Sequence, residues 1–170
     1  MNLNRAISRS LHEEHMATLD LLGRLERLLN DHPIATPPDV QQAETRMLMG
    51  TLKAAIRSEV TSHFAFEEDA IFPVLAEVGA DDMNDILADE HKVLLPLGMD
   101  IADMAEAAGR DGFTPENWAK FTHISNDFID NLRSHVDKEE MGMIPALEDN
   151  LTDEEDDALI KAYKFDDAAA

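Results

Sequence analysis

Residues 62–77 read Ser-His-Phe-Ala-Phe-Glu-Glu-Asp-Ala-Ile-Phe-Pro-Val-Leu-Ala-Glu, and residues 134–149 read Ser-His-Val-Asp-Lys-Glu-Glu-Met-Gly-Met-Ile-Pro-Ala-Leu-Glu-Asp. Laid over each other, they align Ser62 with Ser134, His63 with His135, Glu67 with Glu139, Glu68 with Glu140, Pro73 with Pro145 and Leu75 with Leu147. A shorter echo precedes each copy, Glu14-His15 and Glu90-His91, and each runs into apolar residues at helical spacing. A pair of helices has therefore been used twice. Each copy supplies one histidine on its first helix and a His-x-x-x-Glu on its second.

The flanking sequence places these motifs on long helices. Leu11, His15, Leu19, Leu22, Leu25 and Leu29 lie on or near one stripe, which predicts a first helix over about 3–29. The proline-rich stretch His32 to Pro38 breaks it, and Asp39 is a candidate cap for a second helix that runs through Ile56 and His63 toward Ala76. Gly79 ends that helix, and Asp81 or Asp82 can cap a third, which carries His91 and closes at Gly109. Thr114 with Pro115 opens a fourth, running through Trp118, Phe128 and His135 to about Leu147. Thr152 with Glu155 is a capping box for a short fifth helix, Asp153 to about Tyr163, followed by a frayed tail. The expected fold is all-α: an antiparallel up-and-down four-helix bundle over residues 1–150 with an internal pseudo-twofold, and a short acidic C-terminal helix and tail over 151–170. Pro73, Pro96 and Pro145 each remove a backbone donor and should kink a helix or start a new turn. Pro73 and Pro145 lie ten residues after their histidines and are expected to shape helix ends beyond the site, whereas Pro96 should bend the third helix beside it.

On a helix, positions i and i+4 lie about 40° apart. His63 and Glu67 therefore share a face, as do His135 and Glu139, and both faces continue apolar stripes. A buried carboxylate is costly unless it is paired or bound to a metal. Four imidazoles and two carboxylates form a ligand set for two metal ions, with His15, His63, His91 and His135 as nitrogen donors and Glu67 and Glu139 as bridges. Glu140 is the alternative to Glu139, and His12, one turn before His15, is the alternative to His15. The internal repeat favours Glu139 and His15. Nitrogen and oxygen donors without thiolate suit Fe, Mn, Zn or Co better than Cu(I), and mixed His/carboxylate sites with positions left open suit iron. Two bridges and two histidines per ion leave room for an oxo or hydroxo bridge and one further position on each.

The ordered set, from His15 through His63-x-x-x-Glu67 and His91 to His135-x-x-x-Glu139, resembles the hemerythrin-like (HHE cation-binding) family across nearly the whole chain. The resemblance implies an up-and-down bundle around an oxo-bridged non-haem di-iron centre that meets O2, NO or peroxide. Two departures separate the chain from oxygen carriers of that family: Leu95 stands where they place a second third-helix histidine, and Glu140 where they use an aspartate. The ferritin-like alternative requires Glu-x-x-His, which is absent. Three functions remain: a protein that binds or senses O2, NO or redox state; a di-iron oxidoreductase acting on peroxide or NO; and an iron storage or donor protein. No acid–base relay or substrate pocket is legible, which favours binding over dedicated catalysis. Optical spectra of the reduced iron-loaded protein, exposed in turn to O2, NO and H2O2, separate the three.

Composition narrows the surroundings. With 170 residues the chain suits a single core, and with no cysteine it has neither disulfides nor thiolate sites. Fourteen basic against 36 acidic residues give a net charge of −22, which repels nucleic acid and anionic lipid. Seven acids crowd into Glu148 to Asp157, a stretch expected to be a solvated helix start. The first ten residues carry no apolar signal core and no apolar run spans a bilayer, so a soluble cytoplasmic protein is expected. His32, in a loop, is expected in solvent, His123 in a surface or interhelical hydrogen bond, and Phe64, Phe66 and Phe72 in the packing of the bundle, where they can also restrict access to the metals.

Overall fold

The computed structural model describes residues 3–167. Its first helix, α1, is Ala6–Asp31; α2 covers residues 43–77; α3 is Asp81–Asp111; α4 covers residues 115–150; and α5 is Asp153–Asp167. No strand occurs among the described residues, and none of these helices is long and apolar enough to cross a membrane. Successive long helices pack side by side, α4 closes back on α1, and α5 lies along α1.

Where the boundaries differ from expectation, the reason is local. Asp39 does not cap α2. Its carboxylate accepts from the Gln41 backbone N–H (2.9 Å), its carbonyl from Gln42, and the helix begins after Gln42. Asp81 and Asp82 lie inside the first turn of α3, after Ala80. That helix runs past Gly109 to Asp111 and stops at Gly112, whose φ of +80° suits glycine. Thr114 caps α4 as expected, in a reciprocal box with Asn117, and Thr152 exchanges bonds with Glu155 at the start of α5. α5 continues to Asp167, so residues 164–167 of the tail expected to fray after Tyr163 are helical, and residues 168–170 lie outside the described residues.

The helices α2 and α4 are not regular throughout. Three wide turns close with i→i+5 hydrogen bonds: the Phe64 N–H to the Glu59 carbonyl, Phe72 to Glu67, and Ile144 to Glu139. Two of them end two residues before Pro73 and Pro145. A proline has no N–H to offer the preceding turn and its ring crowds the carbonyl four residues back; widening that turn relieves the clash. Since these turns start at Glu67 and Glu139, the two prolines act on the site itself, not on helix ends beyond it. Pro96 starts no new turn, and α3 runs unbroken across it.

The interior divides in two. One apolar cluster, around Leu25, Leu52, Ile101, Trp118, Phe121 and Phe128, fills the end of the bundle near the α1–α2 loop. The other, around Ile7, Leu11, Ile71, Leu87, Ile144 and Leu159, fills the end near α5. Gly98 lets α3 press on α2 in the first cluster: a Cβ there would stand 2.6 Å from Val60 Cγ1. At the opposite end, the acid run is a clamp and not merely a solvated helix start. The Glu148 carboxylate accepts from the Asn4 and Arg5 backbone N–H groups (2.7 and 2.8 Å), and Asp156 accepts from those of Ala6 and Ile7 (2.7 and 2.9 Å). Both carboxylates thus satisfy the open N–H groups at the positive end of α1.

Candidate metal centre

His15 on α1, His63 and Glu67 on α2, His91 on α3, and His135 and Glu139 on α4 project into the level between the two apolar clusters. All six are buried, with His63 the most exposed at 5 %. They form two groups of four, His15–His63–Glu67–Glu139 and His91–His135–Glu67–Glu139, in each of which one donor atom per residue lies within 4.8 Å of the others. The two glutamates belong to both groups. Glu67 turns Oε1 toward His63 Nε2 (3.2 Å) and Oε2 toward His91 Nε2 (3.3 Å). Glu139 turns Oε1 toward His135 Nε2 (2.8 Å) and Oε2 toward His15 Nε2 (3.2 Å).

These short approaches are not satisfied hydrogen bonds. Nε2 of His15 and His63 and all four carboxylate oxygens of Glu67 and Glu139 are buried without a hydrogen-bond partner. Six orphaned polar atoms at one level would be costly as structure alone. They converge as donors do around a cation. Nε2 of His91 and Nε2 of His135 face each other at 3.1 Å, a distance at which two lone pairs repel unless a proton or cation lies with them.

Every imidazole is held from behind by a carboxylate on its Nδ1. Glu14 accepts from His63 (2.9 Å), Glu68 from His91 (2.7 Å), Glu90 from His135 (3.0 Å) and Glu140 from His15 (2.7 Å). A carboxylate only accepts, so each Nδ1 carries the proton and each Nε2 is left as the free donor atom. The bonds run α1 to α2, α2 to α3, α3 to α4 and α4 to α1, a closed ring around the bundle. The i, i+4 spacing that brings out the six inner residues does not by itself bring out these four glutamates. The signal was there in the Glu-His and Glu-Glu dipeptides. A residue next to an inward-pointing one is turned about 100° and faces the neighbouring helix.

The charges show how strongly the pocket demands positive charge. Burial alone pushes the His135 imidazole down, but the Glu139 carboxylate 2.8 Å away, with Glu67 and Glu90, lifts it from 6.5 to about 9. His15 and His63 are likewise raised against their burial, by Glu140 and Glu139 in the first case and by Glu67, Glu59 and Glu14 in the second. Burial would raise Glu67, yet His63 and His91 hold it well below the carboxylate range, while burial and the neighbouring Glu67 push Glu139 up.

The remaining candidates separate clearly. His12 stays outside the inner set and holds the other oxygen of Glu140 (2.8 Å). Glu140 backs His15, so the structure puts Glu139, not Glu140, among the inner six. His32 is not free in solvent: its Nδ1 donates to the Leu28 carbonyl (3.0 Å), and Trp118 donates to its own carbonyl (3.1 Å). His123 is exposed and faces Asp127 at 3.7 Å. Phe64 stacks on His91 with ring centres 3.9 Å apart and Phe72 lies 5.9 Å from the same ring, while Phe66 packs on Tyr163. Leu95 is 41 % exposed and off the inward stripe, which continues from His91 through Leu94 and Gly98. The absent fifth histidine is therefore not a gap beside the centre that Leu95 fills.

No curated protein matches the chain. A family model does, twice: residues 6–84 and residues 82–170 each match the hemerythrin HHE cation binding domain. The two matched stretches follow the duplication read from the His-x-x-x-Glu repeats, each carrying its own share of histidines and glutamates. With its helical fold and its buried His/Glu groups fit to hold a metal, the chain belongs to the hemerythrin HHE cation-binding family.

Proposed function

We propose that this protein is a non-haem di-iron protein that binds or senses O2, NO or redox state. His15, His63, His91 and His135 would hold the ions through Nε2, together with Glu67 and Glu139, the two carboxylates common to both groups. The observation that carries the reading is the sharing of both carboxylates, one oxygen in each of two four-residue groups. Nitrogen and oxygen donors with no thiolate support iron. When bound, the iron pair would supply redox chemistry and open positions for a small ligand. The chain's own part is to neutralise, orient and enclose. Two inner carboxylates offset the cations, four outer ones fix the imidazoles, and Phe64 and Phe72 close one side. Burial of all six residues favours a diatomic or peroxide-sized ligand over an ion held as exchangeable cargo.

The test begins with metal analysis of protein made in iron-rich medium, where about two ions per chain are expected. One ion or none, unchanged by His63→Ala and His135→Ala, would sink the two-metal reading. Optical spectra of the anaerobically reduced protein, exposed to O2, NO and H2O2 in turn, then separate reversible binding from turnover. Rapid loss of iron to a chelator would move the reading to iron storage or donation.

A further inference from the structure

The two halves of the centre follow one repeat, yet the residues around them break it in one direction. On the α1/α2 side stands Glu59, buried at 7 % and belonging to neither the six inner residues nor the outer ring. It lies one turn before His63 and accepts from the Thr18 hydroxyl (3.0 Å). Its repeat counterpart on α4 is the neutral Asn131, and Thr18 corresponds to Leu94. On the α3/α4 side stands Lys138, whose ammonium meets Glu90 Oε1 at 2.7 Å, while Glu90 Oε2 holds His135. Its counterpart on α2 is Phe66.

A further departure acts the same way. The carboxylate behind His91, Glu68, is 47 % exposed and screened by water; the one behind His15, Glu140, is 18 % exposed and pinned by His12. One half is thus more negative by a buried carboxylate, and the other is less negative by an ammonium.

We infer that the two metal positions are unequal, and that the His15/His63 position fills first and holds its ion more tightly than the His91/His135 position. The inference rests on the two-metal reading above and adds an order of loading to it. Neither Glu59 nor Lys138 is a metal ligand in that reading, so each can be changed without removing a donor atom.

The experiment titrates the chelator-stripped full chain with Co(II), read by visible absorption and by calorimetry. Anomalous scattering from crystals grown with one equivalent of Co(II) then locates the first ion. Two steps are expected, the first about tenfold tighter or more, the order expected of a unit charge in a partly screened site. The single-equivalent density should lie at His15 and His63. Glu59→Gln should weaken the first step and narrow the gap, and Lys138→Met should tighten the second step and narrow it from the other side. Two ions bound with equal affinity, density first at His91 and His135, or a gap unmoved by both substitutions would overturn the inference and leave the two-metal reading standing. Fewer than two ions at saturation would overturn both.

Discussion

Glu14, Glu68, Glu90 and Glu140 each sit beside an inner residue in the sequence, yet each serves a histidine on a different helix. Their work is to fix tautomer and ring orientation, so their loss should act on the metal more than on the fold. We expect Glu90→Gln to weaken metal binding by about 10- to 100-fold, the range for such outer carboxylates. The melting temperature of the stripped protein should shift far less. Co(II) titration beside thermal melts of the stripped chain reads both, and an equal loss in the two would make Glu90 merely structural. Leu95 leads to the opposite expectation. It faces partly into solvent, so Leu95→His should leave the metal stoichiometry and the Co(II) spectrum unchanged. A new nitrogen-ligand feature in that spectrum would show that α3 can turn position 95 inward.

At the scale of the element, packing overrides propensity. Gly98 costs α3 about 1 kcal/mol of helix propensity relative to alanine. Yet a Cβ there meets Val60 Cγ1 at 2.6 Å, Ile56 Cγ2 at 3.1 Å and Phe128 Cε2 at 3.2 Å. Overpacking of a tight core costs about 1–3 kcal/mol, so Gly98→Ala should be net destabilising by roughly 1 kcal/mol despite the better helix former. Urea unfolding of the metal-free protein measures this; a stabilised Gly98→Ala chain would mean that α2 and α3 separate easily. The wide turns obey the same rule. Proline withholds one hydrogen bond, the turn before it opens, and Glu67 and Glu139 stand at the opening.

For the whole molecule, the centre links stability to pH. His135 in the metal-free protein titrates near 9 against 6.5 for an ordinary imidazole. A raised imidazole stabilises the fold fully below the unfolded value, and that contribution is lost as pH climbs through the folded one. From this group alone the metal-free protein should lose on the order of 3 kcal/mol between about pH 6.5 and 9. Metal binding requires Nε2 without its proton, so the loaded protein should lack this loss and its lead over the metal-free form should widen with pH. Thermal melts of both forms from pH 6 to 9.5 check it. A lead that shrinks with rising pH would mean that the imidazoles do not give up protons to metal.

The all-α class, the duplicated helix pair and the six inner residues were legible in the sequence, because each rests on short-range rules. A 3.6-residue period puts i and i+4 on one face, and a repeat preserves which face that is. The N-caps at Thr114 and Thr152 were legible for the same reason, being bonds across three residues. The ring of outer glutamates was not, since each bond joins two helices and depends on how they are rotated against each other. Nor was the effect of Pro73 and Pro145 on the site: a straight α-helix carries their influence past the histidines, and only the widened turns bring it back to Glu67 and Glu139. Leu95 shows the limit from the other side, because i+4 from His91 is near its face, but the packing of α3 chose Leu94 and Gly98 for the interior. Sequence by itself determined what could bind a metal; tertiary packing decided which atoms point at it, which carboxylates hold them, and where the two halves differ in charge, because those depend on distances between helices that no local pattern encodes.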